Sequence, residues 1–296
     1  MERYLATIIA GTLAGTIARM VMLHLDYRQY PGYPHGYLSH LSLGFIASAL
    51  GSVAIPAILK PDYTAVTFLA LAASQFREIR GIERKTLEHL DENELVKRGS
   101  DYIEGIARTF EARNYLTMAC ALLTSIAYEL GKAPAAVVMA LLTIVFVRTF
   151  MAGETIGDIC EVVPARLWFK DSILMVDNIG FINIGLREMR ARITAEGLAV
   201  LIKPKNADAR NTIHDLGQRQ AIAHTVTVLL GTKKDVDLPE FTPLARIDPD
   251  SGAVGLYTVP VERDMDALIL AVKRTPVLES ARSRPLKTEA GRMAAR

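Results

Sequence analysis

The chain has few of the residues and motifs that mark common soluble enzymes. Its two cysteines, Cys120 and Cys160, form no CxxC or Cys/His spacing, so the sequence predicts neither a zinc site nor a redox motif. It contains no Gly-rich phosphate loop and no HExxH motif, which argues against a nucleotide enzyme of the P-loop class and against a zincin. We therefore expect no metal and no cofactor.

The chain also has little excess of positive over negative charge. The formal net charge is +2, and no run of Lys and Arg is interleaved with aromatic residues in the way that nucleic-acid binding requires. Nucleic acid is therefore not a predicted partner.

Apolar residues, in contrast, are abundant. They make up 50% of the chain, and the mean hydropathy is +0.22, which is more than the core of a soluble domain usually needs. Five stretches in the first half are candidates to cross the roughly 30 Å of a bilayer core; they are residues 5–23, 38–59, 64–75, 115–130 and 133–152. The last two are joined by a tight turn at residues 131–134 and predict a helical hairpin.

These observations predict a polytopic α-helical membrane protein, with about five transmembrane helices, followed by a small C-terminal α+β soluble domain. The membrane domain is expected over 1–190, with a cytoplasmic amphipathic segment at 77–113. The soluble domain is expected over 193–280, with elements in the order β, α, β, β, α. A basic tail at 281–296 is expected to be disordered, and it has the charge to touch anionic lipid.

Orientation is predicted from the positions of Lys and Arg. They are concentrated in residues 77–113, and short segments rich in these residues stay cytoplasmic. Five crossings then place the N-terminus outside and the C-terminal domain inside. The stretch 169–186 is apolar enough to enter the bilayer, and if it crosses, the C-terminal domain moves outside.

Small residues in the first two spans indicate close helix packing. Gly11 and Gly15 have GxxxG spacing, and the second span carries Gly44, Ser48, Gly51 and Ser52. Small side chains let two helix backbones approach each other within a membrane. The tyrosine-rich loop at 27–37 between these spans is typical of an interfacial anchor, with an aromatic ligand cage as the alternative.

Carboxyl groups are the candidates for catalysis. If the fifth helix continues past residue 155, Asp158 lies one turn from both Glu154 and Glu161. Desolvated carboxylates that lie so close would raise at least one pKa, as an acid/base pair requires. Asp177 is the candidate second aspartate if 169–186 enters the membrane. The alternative is that these acids neutralise nearby arginines or face water.

Residues 102–107 read Tyr-Ile-Glu-Gly-Ile-Ala, and here the sequence resembles the YIEGIA family of membrane proteins from endospore-forming bacteria. The resemblance extends over residues 1 to about 285. It implies a protein of the sporulation programme, in a membrane of the mother cell or forespore, and a membrane-linked protease role is one implied activity. Glu104 within this motif is either a surface partner of Arg108, at i+4, or a buried acid or ligand.

Two functions from different classes follow. The first is a non-enzymatic membrane scaffold or regulatory factor in sporulation, whose partners are membrane lipid and other membrane or sporulation proteins. The alternative is a membrane-embedded protease of aspartyl type, with its catalytic group drawn from four acids; these are Asp158, Glu161, Asp177 and Glu104.

Overall fold

Four long helices occupy the first half of the chain. The computed structural model describes residues 4–26, 34–59, 63–150, 153–235, 238–239, 241–282, 289 and 293. The long helices are α1 (Leu5–Asp26), α2 (Pro34–Leu59), α3 (Tyr63–Glu92) and α4 (Ser100–Phe150). Most of the predicted tyrosine-rich loop and most of the predicted basic tail lie outside the described residues.

Two compact units divide the chain. The helical unit contains Met1–Lys85 and Ile106–Ala152, and the C-terminal unit contains Thr86–Gly105 and Gly153–Arg296. The predicted amphipathic segment 77–113 is therefore not one element. Its helix ends at Glu92, the next begins at Ser100, and residues 86–105 belong to the C-terminal unit.

Helix α4 folds back on itself. Its backbone leaves the helical region at Gly131 and at Lys132, where φ is 54°. A single buried cluster joins Cys120 and Val147, which a straight helix would hold about 40 Å apart. The two limbs of α4 are therefore packed against each other, which confirms the predicted hairpin.

The predicted close packing of α1 and α2 is confirmed. A Cβ atom built at Gly15 would lie 2.6 Å from Ser48 Oγ and 2.9 Å from the carbonyl oxygen of Thr117 in α4. One built at Gly11 would lie 2.6 Å from Ser52 Oγ. Real Cβ atoms do not approach so closely, so only glycine allows these three helices to meet at this distance.

Large apolar side chains lie on the outside of the helical unit. On α1 they recur every fourth residue at Leu5, Ile9, Leu13 and Ile17, each about half exposed. The second limb of α4 exposes another set; these are Val137, Val138, Leu141, Leu142, Val145 and Phe146. Among the described residues three stretches are long and apolar enough to cross a membrane; they are Leu5–Leu23, Gly36–Leu59 and Ser100–Thr149.

The C-terminal unit is an α/β structure. Its main sheet is antiparallel in the order β1-β5-β9-β8, with β1 (Cys160–Pro164), β5 (Leu198–Pro204), β8 (Leu244–Ile247) and β9 (Val254–Thr258). Three helices share its core; they are α7 (Ala207–His214), α8 (Leu216–Leu230) and α9 (Met265–Arg274). The predicted order β, α, β, β, α corresponds to β5, α7 with α8, β8, β9 and α9; the single predicted helix is two helices, and two short strands lie between α8 and β8.

A second sheet was not predicted. It consists of β2 (Leu167–Lys170), β3 (Ile173–Val176) and β4 (Ile179–Asn183), in that order. The remaining short elements are α5 (Ile156–Ile159), α6 (Arg187–Glu196), β6 (Lys234–Asp235) and β7 (Leu238–Pro239).

The structure corrects the prediction for residues 153–190. The fifth helix does not continue through Asp158, because the chain enters strand β1 at Cys160. The apolar stretch 169–186 forms two β-hairpin turns rather than a span, with Leu174, Val176 and Phe181 buried against the main sheet. A sheet face that packs on another sheet needs as many apolar residues as a short span does, which explains the error. Residues 153–190 therefore belong to the C-terminal unit.

Candidate functional site

A layer of polar side chains is buried inside the helical unit. Arg19 of α1 is fully buried, and its Nη2 atom lies 3.0 Å from Nδ1 of His40 of α2. Because arginine only donates, Nδ1 of His40 is the acceptor and the ring is neutral, with its proton on Nε2. Nε2 lies 4.0 Å from Glu83 of α3. Three helices therefore contribute one ionisable group each to the same layer.

An aromatic ring from α4 completes this arrangement. Phe110 has its ring centroid 4.6 Å from that of His40, and the Arg19 guanidinium lies 5.7 Å above the same ring. This distance is within the range of a cation–π contact. The aliphatic part of Arg19 runs over Gly44, where no Cβ atom would fit. The glycine-rich face of α2 thus makes room for a long charged side chain inside the bundle.

The first limb of α4 adds further polar groups to the interior. Arg113, Asn114 and Thr117 are each at most 3% exposed. Both side-chain polar atoms of Asn114 and the hydroxyl of Thr117 are buried without a hydrogen-bond partner among the described residues. Since native proteins leave few buried polar atoms unsatisfied, these side chains mark a place where a ligand, an ion or a water molecule would bind.

A smaller polar contact lies near the start of α1. The Thr7 hydroxyl donates to a carboxylate oxygen of Glu129, and the Ser125 hydroxyl donates to the Thr7 carbonyl at 3.4 Å. Both Thr7 and Ser125 are fully buried. Hydrogen bonds of this kind hold helices together where the hydrophobic effect cannot, and they are typical of membrane bundles.

In the C-terminal unit, residues 86–105 are fixed to helix α8. His224 Nδ1 donates to the carbonyl of Val96 at 2.7 Å, and Gln220 donates to the carbonyl of Lys97. Burial lowers the pKa of His224. Within the segment, Arg98 donates its backbone N–H to Asp91 at 2.8 Å, and both residues are buried.

The four predicted acids are not brought together. Asp158 accepts hydrogen bonds from the Thr155 backbone N–H and hydroxyl, at 2.8 Å each, in a capping box that begins α5. These bonds lower the pKa of Asp158. Glu161 is exposed on β1, opposite Lys203 of β5.

Asp177 and Glu104 lie elsewhere in the C-terminal unit. Asp177 has φ of 49° in the two-residue turn between β3 and β4, and its Oδ1 accepts the backbone N–H of Arg166 at 2.8 Å. Glu104 is half-buried on the first turns of α4. No hydrogen bond or ion pair joins Asp158, Glu161 and Asp177 to one another among the described residues.

An open pocket of about 560 Å³ surrounds Asp177. The Trp168 indole N–H donates to the Asp177 carbonyl at 2.8 Å, and the Arg166 guanidinium lies 5.9 Å from the Trp168 ring. Asp248 also lines the pocket and accepts from the Ser251 hydroxyl. The carboxylates of Asp177 and Asp248 are held by local turn contacts, which gives them a structural role in the hairpins.

Metal and thiol chemistry have no further support in the described part of the chain. It contains no group of three or more His, Cys, Asp or Glu side chains that could hold a metal. Both cysteines are free and buried, and burial raises the pKa of Cys160 to about 11. A reactive cysteine requires a lowered pKa, so Cys160 is a packing residue.

Some of these residues carry a signal in the sequence and others do not. Arg19 and Glu129 stand out as charges inside apolar stretches, and both make interhelical contacts. The roles of His40, Asn114 and His224 were not predicted. His40 and Asn114 carry one available signal, which is a polar side chain inside or beside an apolar helix; His224 lies in a helix of mixed composition and has no such signal.

Comparison with known proteins gives the family. The profile described as "YIEGIA protein" matches residues 7–288, and the chain therefore belongs to the YIEGIA family. The chain is also 43% identical over 281 residues to the Bacillus subtilis (strain 168) protein named "Uncharacterized protein YphB", which covers 95% of each chain. No solved structure matches.

The family motif falls on the boundary between the two units. Tyr102 and Ile103 belong to the C-terminal unit, whereas Ile106 and Ala107 belong to the helical unit. All four are at most 5% exposed. The Tyr102 ring meets the His224 ring edge to face, with the centroids 6.2 Å apart. The motif is therefore a packing element, with residues buried in each unit.

Proposed function

We propose that this protein is a five-pass integral membrane protein that acts without catalysis, as a scaffold or regulatory factor in sporulation, in a cell or forespore membrane. The observation that carries the membrane part is the reversed polarity of the helical unit. Many of its large apolar side chains are outside, and Arg19, Asn114 and Thr117 are inside. This distribution suits a hydrocarbon solvent and would be unfavourable in water.

Packing of the C-terminal unit supports the number of crossings. Residues 86–105 contact helix α8, so they lie on the same side of a membrane as residues 153–296. The chain between them must then cross an even number of times, which the two limbs of α4 provide. With α1, α2 and the first part of α3, the total is five. The Lys/Arg content of 77–113 supports a cytoplasmic position for the C-terminal unit.

The scaffold role is favoured over the aspartyl protease by the positions of the acids. Asp158, Glu161 and Asp177 lie in the C-terminal unit rather than among the apolar helices. Asp158 and Asp177 each accept backbone hydrogen bonds that stabilise local turns. The sporulation role rests on family membership. Under this proposal the helical unit contacts lipid and the C-terminal unit recruits other membrane or sporulation proteins.

Cysteine accessibility tests the topology. In a background with Cys120→Ala and Cys160→Ala, one variant carries Lys132→Cys at the α4 turn and another carries Leu270→Cys, an exposed position on α9. A membrane-impermeant maleimide applied to intact cells should label only the first. Labelling of Leu270→Cys in intact cells, or protection of Lys132→Cys, would contradict five crossings.

Complementation tests the role. A Bacillus subtilis strain lacking the 43% identical relative should form fewer heat-resistant spores, and this chain should restore them. Each of four variants in which an acid is replaced by its amide should restore heat-resistant spores in proportion to the amount of the variant in the membrane. The variants are Glu104→Gln, Asp158→Asn, Glu161→Gln and Asp177→Asn. An unchanged spore count in the deletion strain would reject the sporulation role. Loss of rescue at normal abundance would instead support catalysis.

A further inference from the structure

We propose that the pocket around Asp177 binds a basic side chain, arginine or lysine, from a peptide segment of a partner protein. The pocket has a volume of about 560 Å³, which is in the range of sites that hold a small organic ligand. All of its lining residues belong to the C-terminal unit. The source of the ligand rests on the proposed recruiting role of this unit, whereas its chemistry rests on the pocket itself.

Two separate connections contribute carboxylates to the lining. The turn between β3 and β4 supplies Asp177 and Asn178, and the loop between β8 and β9 supplies Asp248 and Ser251. The two carboxylates therefore line one cavity although they come from different hairpins. A cation in this cavity is attracted by both of them.

Local hydrogen bonds fix both carboxylates and leave part of each free. Asp177 Oδ1 accepts the backbone N–H of Arg166 at 2.8 Å, and Oδ2 accepts no hydrogen bond from the described residues. Asp248 accepts the Ser251 hydroxyl and the Asp250 backbone N–H. A carboxylate offers about four acceptor positions, so each retains capacity for a group with several donors, such as a guanidinium or an ammonium. Because the turns already hold these side chains, binding would cost little side-chain entropy.

The charge of the lining favours a cation. Within the described part of the chain, Asp177, Asp248 and Arg166 form no ion pair, so these three side chains set the charge of the pocket. The two carboxylates outnumber the one guanidinium, which is exposed and lies 5.9 Å from the Trp168 ring. The Ser251 hydroxyl lowers the pKa of Asp248, so this carboxyl is ionised at neutral pH.

The rest of the lining suits the aliphatic part of a basic side chain. Ile179, Leu201 and Trp168 add apolar surface to the pocket. The Trp168 indole N–H donates to the Asp177 carbonyl at 2.8 Å, which fixes the position of the ring. Arginine and lysine bury their methylene groups on such surfaces, and their charged ends are attracted by indole rings. A hard metal ion prefers oxygen ligands alone, so the apolar part of the lining favours an organic cation.

Trp168 reports directly on this pocket, because it lines the pocket and is the single tryptophan of the chain. Full-length protein in detergent is titrated with the peptide acetyl-Ala-Arg-Ala-amide and with matched peptides that carry Lys, Gln or Glu in place of Arg. We expect a saturable change in Trp168 fluorescence with the Arg and Lys peptides and none with the Gln and Glu peptides at equal concentration. A separate titration with spermidine distinguishes a free polyamine from a peptide side chain.

Variants separate binding in the pocket from general charge effects. Asp177→Asn and Asp248→Asn each remove a charge but keep a side-chain oxygen that accepts the turn hydrogen bonds, and each should weaken binding of the Arg peptide by about tenfold or more. Arg166→Gln removes the positive charge of the lining and should strengthen binding. Asp250→Asn, in the same loop as Asp248 but outside the lining, is the matched control and should leave the affinity unchanged.

Four results would overturn the proposal. The first is Trp168 fluorescence that does not change with the Arg peptide, or that changes equally with the Gln peptide. The second is an affinity that is unchanged in both Asp177→Asn and Asp248→Asn, or that falls equally in Asp250→Asn. The third is binding of the Glu peptide that Arg166→Gln abolishes, which would assign the pocket to an anion. The fourth is binding of spermidine without binding of the Arg peptide, which would assign the pocket to a free polyamine.

The peptide titration and the spore counts fail separately. Absence of peptide binding would remove the pocket from the recruiting role and leave that role to other surfaces of the C-terminal unit. An unchanged spore count in the deletion strain would reject the sporulation role whatever the pocket binds.

Discussion

The two units of this protein differ in which residues they leave exposed. In the C-terminal unit the fully buried side chains include Ile202, Ile222 and Leu256, which form one apolar core. In the helical unit the buried positions include Arg19, Ser48 and Thr117, whereas many leucines and isoleucines are exposed. An exposed apolar surface of this kind is expected where the surrounding solvent is lipid.

Different forces must stabilise the two units. Removing apolar surface from water contributes about 25 cal/mol per Å² and holds the C-terminal core together. Lipid tails are as apolar as leucine, so this term is absent between helices in a bilayer. There, backbone approach at glycine and interhelical hydrogen bonds replace it, as at Gly15 and at the pair Thr7 and Glu129.

The largest expected effect comes from placing a charge on equally exposed positions of the two units. Leu141 in the second limb of α4 is 60% exposed, and Val261 in the C-terminal unit is 63% exposed. Leu141→Asp should make the free energy of membrane insertion less favourable by about 2.5–3.5 kcal/mol, which is the cost of aspartate at the centre of a membrane helix. Val261→Asp should change stability by less than about 0.5 kcal/mol.

The measurement for this pair is the amount of full-length protein in the membrane fraction. Equal abundance of both variants would mean that Leu141 faces water, and the contrast between the units would then be lost.

The second prediction compares two glycines in the helical unit. Gly15→Ala should destabilise the protein by about 1–3 kcal/mol, because the new methyl group must displace Ser48 or the α4 backbone. Gly36→Ala meets no atom within 4 Å and should stabilise α2 by up to about 1 kcal/mol. The thermal midpoint of maleimide labelling at Cys120 measures both, and a neutral Gly15→Ala would argue against close packing.

The third prediction concerns pH and the C-terminal unit. Burial, helped by the charge of Arg98, lowers the pKa of His224; the hydrogen bond to Val96 and the carboxylates of Glu94 and Asp91 oppose this. The unfolded state then binds more protons than the folded state, so stability should fall as pH drops below about 6.5. His224→Gln should reduce this dependence.

Trp168 provides the readout, since it is the single tryptophan of the chain and lies in the C-terminal unit. Denaturant unfolding followed by its fluorescence at pH 7.5 and 5.5 should show the loss in the parent protein. The control is His89→Gln, which replaces an exposed histidine and should show the same loss of stability as the parent protein. A pH response that is unchanged in His224→Gln would contradict the prediction.

The smallest effect is expected at Asp158. Asp158→Asn weakens the capping box of α5 and should cost roughly 0.5–1 kcal/mol of the stability of the C-terminal unit. The lowered pKa of Asp158 means that this contribution is present at neutral pH and is lost as the carboxyl is protonated in acid. Glu161→Gln, on an exposed strand position, should be silent in the same Trp168 unfolding assay.

The sequence predicted those features that depend on local pattern. The apolar stretches other than 64–75, the turn at Gly131 and the glycine contacts of α1 follow from periodicity and side-chain size, and the structure contains them. The strands between residues 160 and 183 were missed because their burial depends on a partner sheet that forms far along the chain.

The sequence indicates only some of the buried polar contacts. A charge such as Arg19 is conspicuous inside an apolar stretch. Its pairing with His40 depends on how α1 and α2 align, which composition does not specify. The grouping of Asp158 and Glu161 with Glu154 assumed a helix, and a change from helix to strand at Cys160 removes that geometry.

The attachment of residues 86–105 to helix α8 also has a consequence for biosynthesis. Val96 leaves the ribosome 128 residues before His224, its hydrogen-bond partner. In the intervening time both limbs of α4 must be made, so segment 86–105 has no partner until α8 follows. The C-terminal unit can therefore complete its fold only after α4 has been synthesised, and a nascent chain arrested before residue 216 would expose Val96 and Tyr102.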